Sequence, residues 1–335
     1  MHHPALLVVL ACLLDRLVGD PRRCLHPVQV MGWAIQALRH LSEAWAGDTP
    51  GKLRLAGVGI TLLVCTGSGV TGWQLEQWAL ERPLLGTGLV VVALASALAG
   101  RSLEQAVRQV LSALPDLQAA RDRLGWIVGR EVNALPEAEI LRAAAETTAE
   151  NAVDGLFAPL FWMLIGAALA AHWSWAPGPL ALAWIFKAGS TLDSMLGYRH
   201  GRLRWLGTAG ARLDDGLTWV PARLVAFTLP LLSSPPRRWW GQFQGALREG
   251  ASDPSPNAGV SQAAYAHAVG VQLGGWNRYA DGWRLKPLLG QGFPCPDGAA
   301  VQQMLQLTLE LELGWMGIAL AVAGLWSCWR MALGG

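Results

Sequence analysis

The sequence predicts an all-α bundle of membrane-spanning helices joined by helical cytoplasmic loops, and three observations support this. Of the 335 residues, 52% are hydrophobic and only 15% charged, against roughly 25% charged in soluble domains, and mean hydropathy is +0.30. Apolar stretches recur at lengths close to the roughly 17 to 25 residues that cross a bilayer. The 18 Trp residues gather near the ends of those stretches, at Trp73 and Trp78, Trp173 and Trp175, Trp239 and Trp240, and Trp326 and Trp329. Side chains with an apolar body and a polar tip collect at membrane interfaces in this way.

Residues 4–14 form a short apolar segment without a basic start or a small-residue cleavage site, and Asp15 and Arg16 follow at once. This reads as a retained helix, not a secretory leader. Spans are expected over 53–72, 84–100, 156–171, 179–196 and 311–333. Between the second and third of these, Leu103, Val107, Val110, Leu111 and Leu114 recur at helical spacing up to Pro115. A second helix is expected from near Pro136, where Glu137 and Glu139 suit the positive end of a helix dipole. The stretch 217–233 is also apolar, but Arg223, Pro221 and Pro230 leave a full crossing and a re-entrant or interfacial helix equally open. From 233 to 306, Pro and Gly in PSPNAGV and LGGWN read as loops and short helices.

Charge sets the expected orientation. Arg16, Arg22, Arg23, Arg39, Lys52 and Arg54 fill the first loop, and Arg101, Arg108, Arg121, Arg123 and Arg130 fill the loop after 84–100, whereas 73–83 carries Arg82 alone. The basic loops should be cytoplasmic. One membrane domain over 1–335 is expected, with cytoplasmic segments at about 15–52, 101–155, 197–216 and 234–310. A formal charge of +2 spread through loops argues against a nucleic-acid partner. Five cysteines without CxxC spacing and seven histidines without HExxH indicate neither a disulfide framework nor structural zinc. Neither GxxxxGK[ST] nor GxSxG occurs, which removes the P-loop and the α/β-hydrolase elbow.

Polar constellations interrupt this apolar background. Arg142, Glu146, Glu150 and Asp154 recur every four residues, one face of a helix, at the mouth of FAPLFWMLIGAALAA. They are either a site or a solvated face on which the acids pair with Arg142. Asp214 and Asp215 in ARLDDGLTWVPARL either act in a site or cap a helix beginning near Leu217. Lys187, in the apolar FKAGSTLDSMLGY with Ser190, Thr191 and Asp193, needs a partner or a function, because an unpaired ammonium is costly there. Asp15, Asp20 and His26 make a further group, and Asn257 stands in PNAG. Carboxylates gathered from several loops suit Mg²⁺, which takes one or two of them plus phosphate oxygens and waters. Lys and Arg among them suit phosphate or carboxylate groups of a ligand.

Five segments in register, LDRLVGDPRRCLHPVQVMG, IVGREVNALPEAEILRAAAETTAENAVDGLFAPLFW, FKAGSTLDSMLGY, ARLDDGLTWVPARL and SPNAG, resemble the adenosylcobinamide-phosphate synthase family of cobalamin biosynthesis. The resemblance covers about residues 10–275. It implies a multi-pass enzyme of the cell inner membrane whose site faces the cytoplasm. The implied reaction joins aminopropanol, or its phosphate, to the free propionate of adenosylcobyric acid by an amide bond, using ATP and Mg²⁺, through an acyl phosphate.

On that resemblance Glu150, Asp154, Asp214 and Asp215 hold the metal, Lys187 and Arg212 neutralise developing charge, and Asp193 or Glu146 takes the proton of the incoming ammonium. Asp15, Asp20, His26, Asn151, Ser190 and Asn257 are the expected substrate contacts. Membrane lipid is an expected partner, as is a second copy of the chain or another corrinoid enzyme. The chain departs from the family pattern at Glu131 and Val132, Ala152, Gly189 and Ser190, and Val260. Loss of an amide at 190 points to altered amine preference. A corrinoid or ion carrier without ligase activity is the alternative, since intramembrane Lys and Asp also mark transport paths. A scaffold for other corrinoid enzymes is a third reading.

Overall fold

The computed structural model describes residues 3–20, 26–279 and 282–332; Arg22, Arg23 and Cys24 lie outside them. The helices run α1 (Pro4–Val18), α2 (Pro27–Ala46), α3 (Pro50–Glu81), α4 (Pro83–Ala95), α5 (Gly100–Ala113), α6 (Leu117–Leu124) and α7 (Glu137–Ala152). A π-helical turn, Val153–Phe157, leads into α8 (Ala158–His172). Then come α9 (Pro179–Leu196), α10 (Leu203–Leu206), α11 (Thr208–Ser233), α12 (Pro236–Gly250) and α13 (Ala258–Val269). Strands β1 (Leu273–Tyr279) and β2 (Gly282–Leu289) precede α14 (Gly298–Ala332). Proline explains many of the starts: α1, α2, α3, α4, α9 and α12 each carry Pro in the first two helical positions, where its fixed φ fits and its missing N–H is not needed.

Among the described residues, five helical stretches are long and apolar enough to cross a membrane: Pro50–Glu81, Pro83–Ala113, Glu137–His172, Thr208–Ser233 and Gly298–Met331. They contain the expected spans 53–72, 84–100 and 156–171 and all but the end of 311–333, whose Leu333 lies outside the described residues. The fifth expected span, 179–196, forms helix α9 with those bounds but is not among the five; Lys187, Ser190, Thr191, Asp193 and Ser194 make its second half polar. The ambiguous 217–233 stretch is part of an unbroken helix that runs through Pro221 and Pro230. Hydroxyls inside apolar helices bond back to the carbonyl four residues earlier, as at Thr61, Thr71 and Thr228, so they carry no unmet polarity toward lipid. Leu84 is 93% exposed and Leu325 72%, as lipid-facing side chains would be.

The chain forms two compact units. Unit 1 comprises Met1–Ala99, Ala158–Leu217 and Met316–Gly335; unit 2 comprises Gly100–Phe157 and Thr218–Trp315. In unit 1, α3 packs on α9, α2, α4 and α10, α8 on α9, and α1 on α4 and α8. The α3–α9 contact is close because it is built on small residues: a Cβ at Gly72 would stand 2.9 Å from the Cα of Ala181. Glu76 on α3 accepts from the backbone N–H of Gly178 (3.0 Å) and Leu180 (2.6 Å) at the start of α9, satisfying amides that a helix N-terminus leaves open. Glu76→Ala should cost about 1–2 kcal/mol, read as a lower unfolding temperature in detergent.

In unit 2, α5 and α6 pack on α7, α12 on α13, and α13 on α7. The β1–β2 hairpin lies against α7, α12 and α13. Loops and short helices are expected over 233–306; α12, α13 and the first turns of α14 occupy it, together with an antiparallel hairpin that the expectation lacked. The strands pair Trp276 with Leu285 and Asn277 with Arg284, with a bulge between Leu273 and Gly275. Gly274 has φ +86°, and a Cβ there would fall on the carbonyl oxygen of Pro287, so only glycine fits this crossing.

Candidate functional site

In unit 1, α9 supplies Lys187, Ser190 and Asp193, and the first turns of α11 supply Arg212, Asp214 and Asp215. Small residues let the two helices meet. A Cβ at Gly207 would fall on the carbonyl oxygen of Leu196, one at Gly210 would lie 2.9 Å from the Cβ of Leu192, and one at Gly189 would lie 3.3 Å from Leu217. That approach puts Asp214 within electrostatic reach of Asp193, Asp215 and Lys187. Arg199, in the turn after α9, acts on Asp193 and Asp215, and Arg212 stands 3.9 Å from Asp215. The cluster thus holds three carboxylates and three cations, with Lys187, Asp193, Asp214 and Asp215 all half-buried and Arg212 exposed. Because α11 begins at Thr208, Asp214 and Asp215 lie inside the helix and do not cap one starting near Leu217.

The first sequence group is also in unit 1. Asp15 is buried on α1, and His26 is the N-cap of α2, accepting at Nδ1 from Val28 N–H (3.3 Å) in a capping box with Gln29. Its Nε2 lies 3.3 Å from Asp20. His26 therefore has a complete local role in starting a helix.

In unit 2 the acidic stripe is not a solvated face. Glu146 is 1% exposed and Arg142 6%. Glu146 Oε1 accepts from Arg142 Nη1 (2.8 Å) and from Gly274 N–H (2.9 Å), and Oε2 accepts from Arg130. Arg142 also pairs with Glu139 and donates to the carbonyls of Gly274 (2.6 Å) and Trp276 (3.0 Å). Asn277 Oδ1 accepts from Arg130 (2.6 Å) and Arg142 (3.0 Å). Glu146 is thus the anchor by which α7 holds the hairpin.

One helical turn on, Glu150 Oε2 accepts from Gln262 on α13 (2.9 Å), and Asn151 is exposed, donating to Thr147. Asp154 sits in the π-helical turn, a distortion that recurs at functional sites. Asn257, 5% exposed, accepts at Oδ1 from Arg223 (2.7 Å), which also donates to the Pro256 carbonyl (2.7 Å). This contact gives the awkward arginine of 217–233 its partner.

Lys286 on β2 points into the same region. Burial works to lower its ammonium, but the carboxylates of Glu150, Asp253 and Glu146 outweigh burial and hold it above the ordinary 10.5. A raised folded value means that this contribution to stability is fully present below roughly pH 10.4 and is lost as pH climbs through the folded value. Unfolding temperature should therefore fall more steeply above roughly pH 10.5 in the parent than in Lys286→Met.

Sequence reasoning missed Arg130, Arg199, Asp253, Gln262, Asn277 and Lys286 as members of these clusters. Arg130, Asp253 and Asn277 sit in or beside motifs already singled out, IVGREV, SPNAG and LGGWN, whereas Lys286 lies on a strand that no signal marked. Among the described residues, no group of three or more His, Cys, Asp or Glu is placed to hold a metal ion.

The fold and these clusters define a multi-pass helical membrane protein that keeps carboxylates and cations half-buried within apolar helices, the setting of a protein that handles charged ligands. The chain belongs to the CobD/Cbib protein family, whose model matches residues 8–308; this is the cobalamin-biosynthesis family that the five motifs resemble. It is 40% identical over 315 residues to "Cobalamin biosynthesis protein CobD" of Synechocystis sp., covering 93% of this chain and 90% of that protein. It is 37% identical over 326 residues to the protein of the same name from Chromobacterium violaceum, covering 95% and 96%. To "Cobalamin biosynthesis protein CbiB" of Salmonella typhimurium it is 35% identical over 320 residues, covering 94% of each. No solved structure gives a significant match to the chain.

Proposed function

We propose that this member of a cobalamin-biosynthesis family is an ATP-dependent amide-forming ligase of the inner membrane, working on its cytoplasmic side. It joins aminopropanol or aminopropanol phosphate to the free propionate of adenosylcobyric acid. The observation that carries the reading is the gathering of Asp193, Asp214, Asp215 and Lys187 into one half-buried cluster on α9 and α11. Charges held this close, out of bulk water, suit a phosphoryl-transfer site, where positioning and electrostatics do most of the work.

A carboxylate is a poor electrophile, so it must first gain a leaving group. A propionate oxygen attacks the γ-phosphorus of ATP, the bond to the bridging oxygen breaks, and ADP leaves. The free amine then attacks the acyl carbon, and phosphate departs with the former carboxylate oxygen. Lys187 and Arg212 stabilise charge on the transferring group, and Asp193 accepts the proton that the incoming ammonium must lose. Asp214 and Asp215 fit magnesium chemically, since that ion is commonly held by one or two carboxylates with substrate phosphates and waters. When bound, it would offset phosphate charge. Glu146, engaged by two guanidinium groups and a backbone amide, suits an anchoring role better than proton transfer.

The test uses purified chain in detergent with ATP, Mg²⁺, adenosylcobyric acid and aminopropanol phosphate. ATP consumption should require both organic substrates. Consumption independent of them, or corrinoid binding without turnover, would favour a carrier.

A further inference from the structure

Helix α12, which lies wholly in unit 2, carries a cationic face that the chemistry above does not use. Arg237, Gln244 and Arg248 are seven and four residues apart and so share one side of the helix. All three are exposed, as is Arg238 beside them, and Trp240 on the flank is 50% exposed. A surface hollow of about 460 Å³ is lined by Gln244, Leu247 and Arg248. The one acid of α12 is engaged elsewhere: Glu249 accepts from Gly290 N–H (2.6 Å) and stands 3.1 Å from His267 Nε2. The helix therefore presents three guanidinium groups to its surroundings.

The way α12 is fastened sets where those groups stand. Ser234 and Pro235 alone join it to α11, a link that at full stretch reaches about 11 Å from Ser233 to Pro236. Trp239 then ties α12 back onto α11. Its Nε1 donates to the Phe227 carbonyl (2.7 Å), and the rings of Trp239 and Phe243 both meet the Phe227 ring edge to face, with centroids 4.7 and 5.4 Å away. Phe227 lies six residues before the end of α11, whose last apolar residues, Leu231 and Leu232, are 55% and 45% exposed. The arginines are thus held beside the final turns of a helix apolar enough to cross a membrane. Beyond the hydrocarbon edge the headgroup layer is roughly 5–8 Å thick, so a helix tied this closely cannot stand off in bulk water.

We propose that Arg237, Arg238 and Arg248, with Trp240 as an interfacial anchor, bind the phosphate groups of anionic phospholipids in the leaflet that the end of α11 reaches. A guanidinium fork matches phosphate oxygens, and a basic helix next to a span is drawn to anionic lipid. A dissolved anion would meet the same arginines, but the exposed indole of Trp240 beside them suits headgroup depth and favours lipid. The lipid would hold α12, and α13 packed on it, at the membrane surface. The proposal is independent of the ligase reading and stands or falls without it.

The test is amide hydrogen exchange of the full chain in nanodiscs, read by mass spectrometry on peptides from Pro236–Gly250. Discs of phosphatidylcholine alone are compared with discs in which about one quarter of the lipid is phosphatidylglycerol; the anionic lipid should slow exchange at α12 about tenfold. The triple variant Arg237→Gln, Arg238→Gln, Arg248→Gln should lose that slowing, whereas replacing the same three residues by Lys should keep most of it, because charge near the surface is what attracts the lipid. Equal exchange of the parent in the two discs, or slowing that survives the Gln triple variant, would overturn the proposal. Inorganic phosphate added to the phosphatidylcholine discs separates the two sources of phosphate. It should leave exchange unchanged, and slowing equal to that with phosphatidylglycerol would assign the face to a dissolved anion and overturn the lipid site.

Discussion

Glu146→Ala is expected to be the most destabilising single change in unit 2, at about 3–5 kcal/mol, because it removes a buried carboxylate shared by two buried guanidinium groups and leaves Arg142 with Glu139 alone. Arg130 and Arg142 side chains are 8% and 7% exposed, so neither can turn to water when the carboxylate is removed. The backbone N–H of Gly274 loses its acceptor as well, and the hairpin loses its tie to α7. Thermal unfolding in detergent should show a large drop in midpoint. Converting both members of the Arg142–Glu146 pair to Met should recover part of it, since no charge is then stranded between those two. A drop equivalent to less than about 1 kcal/mol, the scale of an exposed ion pair, would show that the network is solvated.

Asp214→Asn should behave in the opposite way. Here a carboxylate is crowded by Asp193 and Asp215, and removing one of three like charges relieves repulsion. Stability should be unchanged or higher, while turnover falls by about 10²–10³, the scale on which one preorganised electrostatic contact acts. Unfolding temperature and amide formation measured on the same preparation separate the two effects. A variant that is both stable and fully active would remove Asp214 from the site. Residues kept where they cost stability are those that function retains, and the contrast with Glu146 distinguishes a reactive acid from an anchoring one.

The legible part of the fold follows from local rules. Apolar runs long enough to cross sufficed to place α3, α4, α8 and the later part of α14, and the bounds of α9 were read to the residue. The β1–β2 hairpin was hidden because Trp276, Asn277, Arg284 and Lys286 are not an alternating apolar pattern; its first strand is held by Arg142 and Glu146 from 128 to 134 residues away, a tertiary cause that no local window contains. The same holds at the sites. The four-residue spacing of Glu146 and Glu150 was visible, but whether that face was wet depended on the hairpin covering it. Whether Asp214 and Asp215 cap a helix near Leu217 or act in a site stays open in the sequence, because the capping alternative is removed only by α11 beginning at Thr208, six residues upstream of Asp214. The π-helical turn around Asp154 leaves no composition signal, since its geometry arises from packing on either side.

The central claim is that the propionate is activated as an acyl phosphate before the amine attacks, and oxygen tracing tests it most directly. Adenosylcobyric acid carrying ¹⁸O in both oxygens of its free carboxylate is turned over with ATP and the amine, and the phosphate products are examined by mass spectrometry. One ¹⁸O should appear in inorganic phosphate for each amide formed. Label in AMP, or amide formed with wholly unlabelled phosphate, would contradict the account.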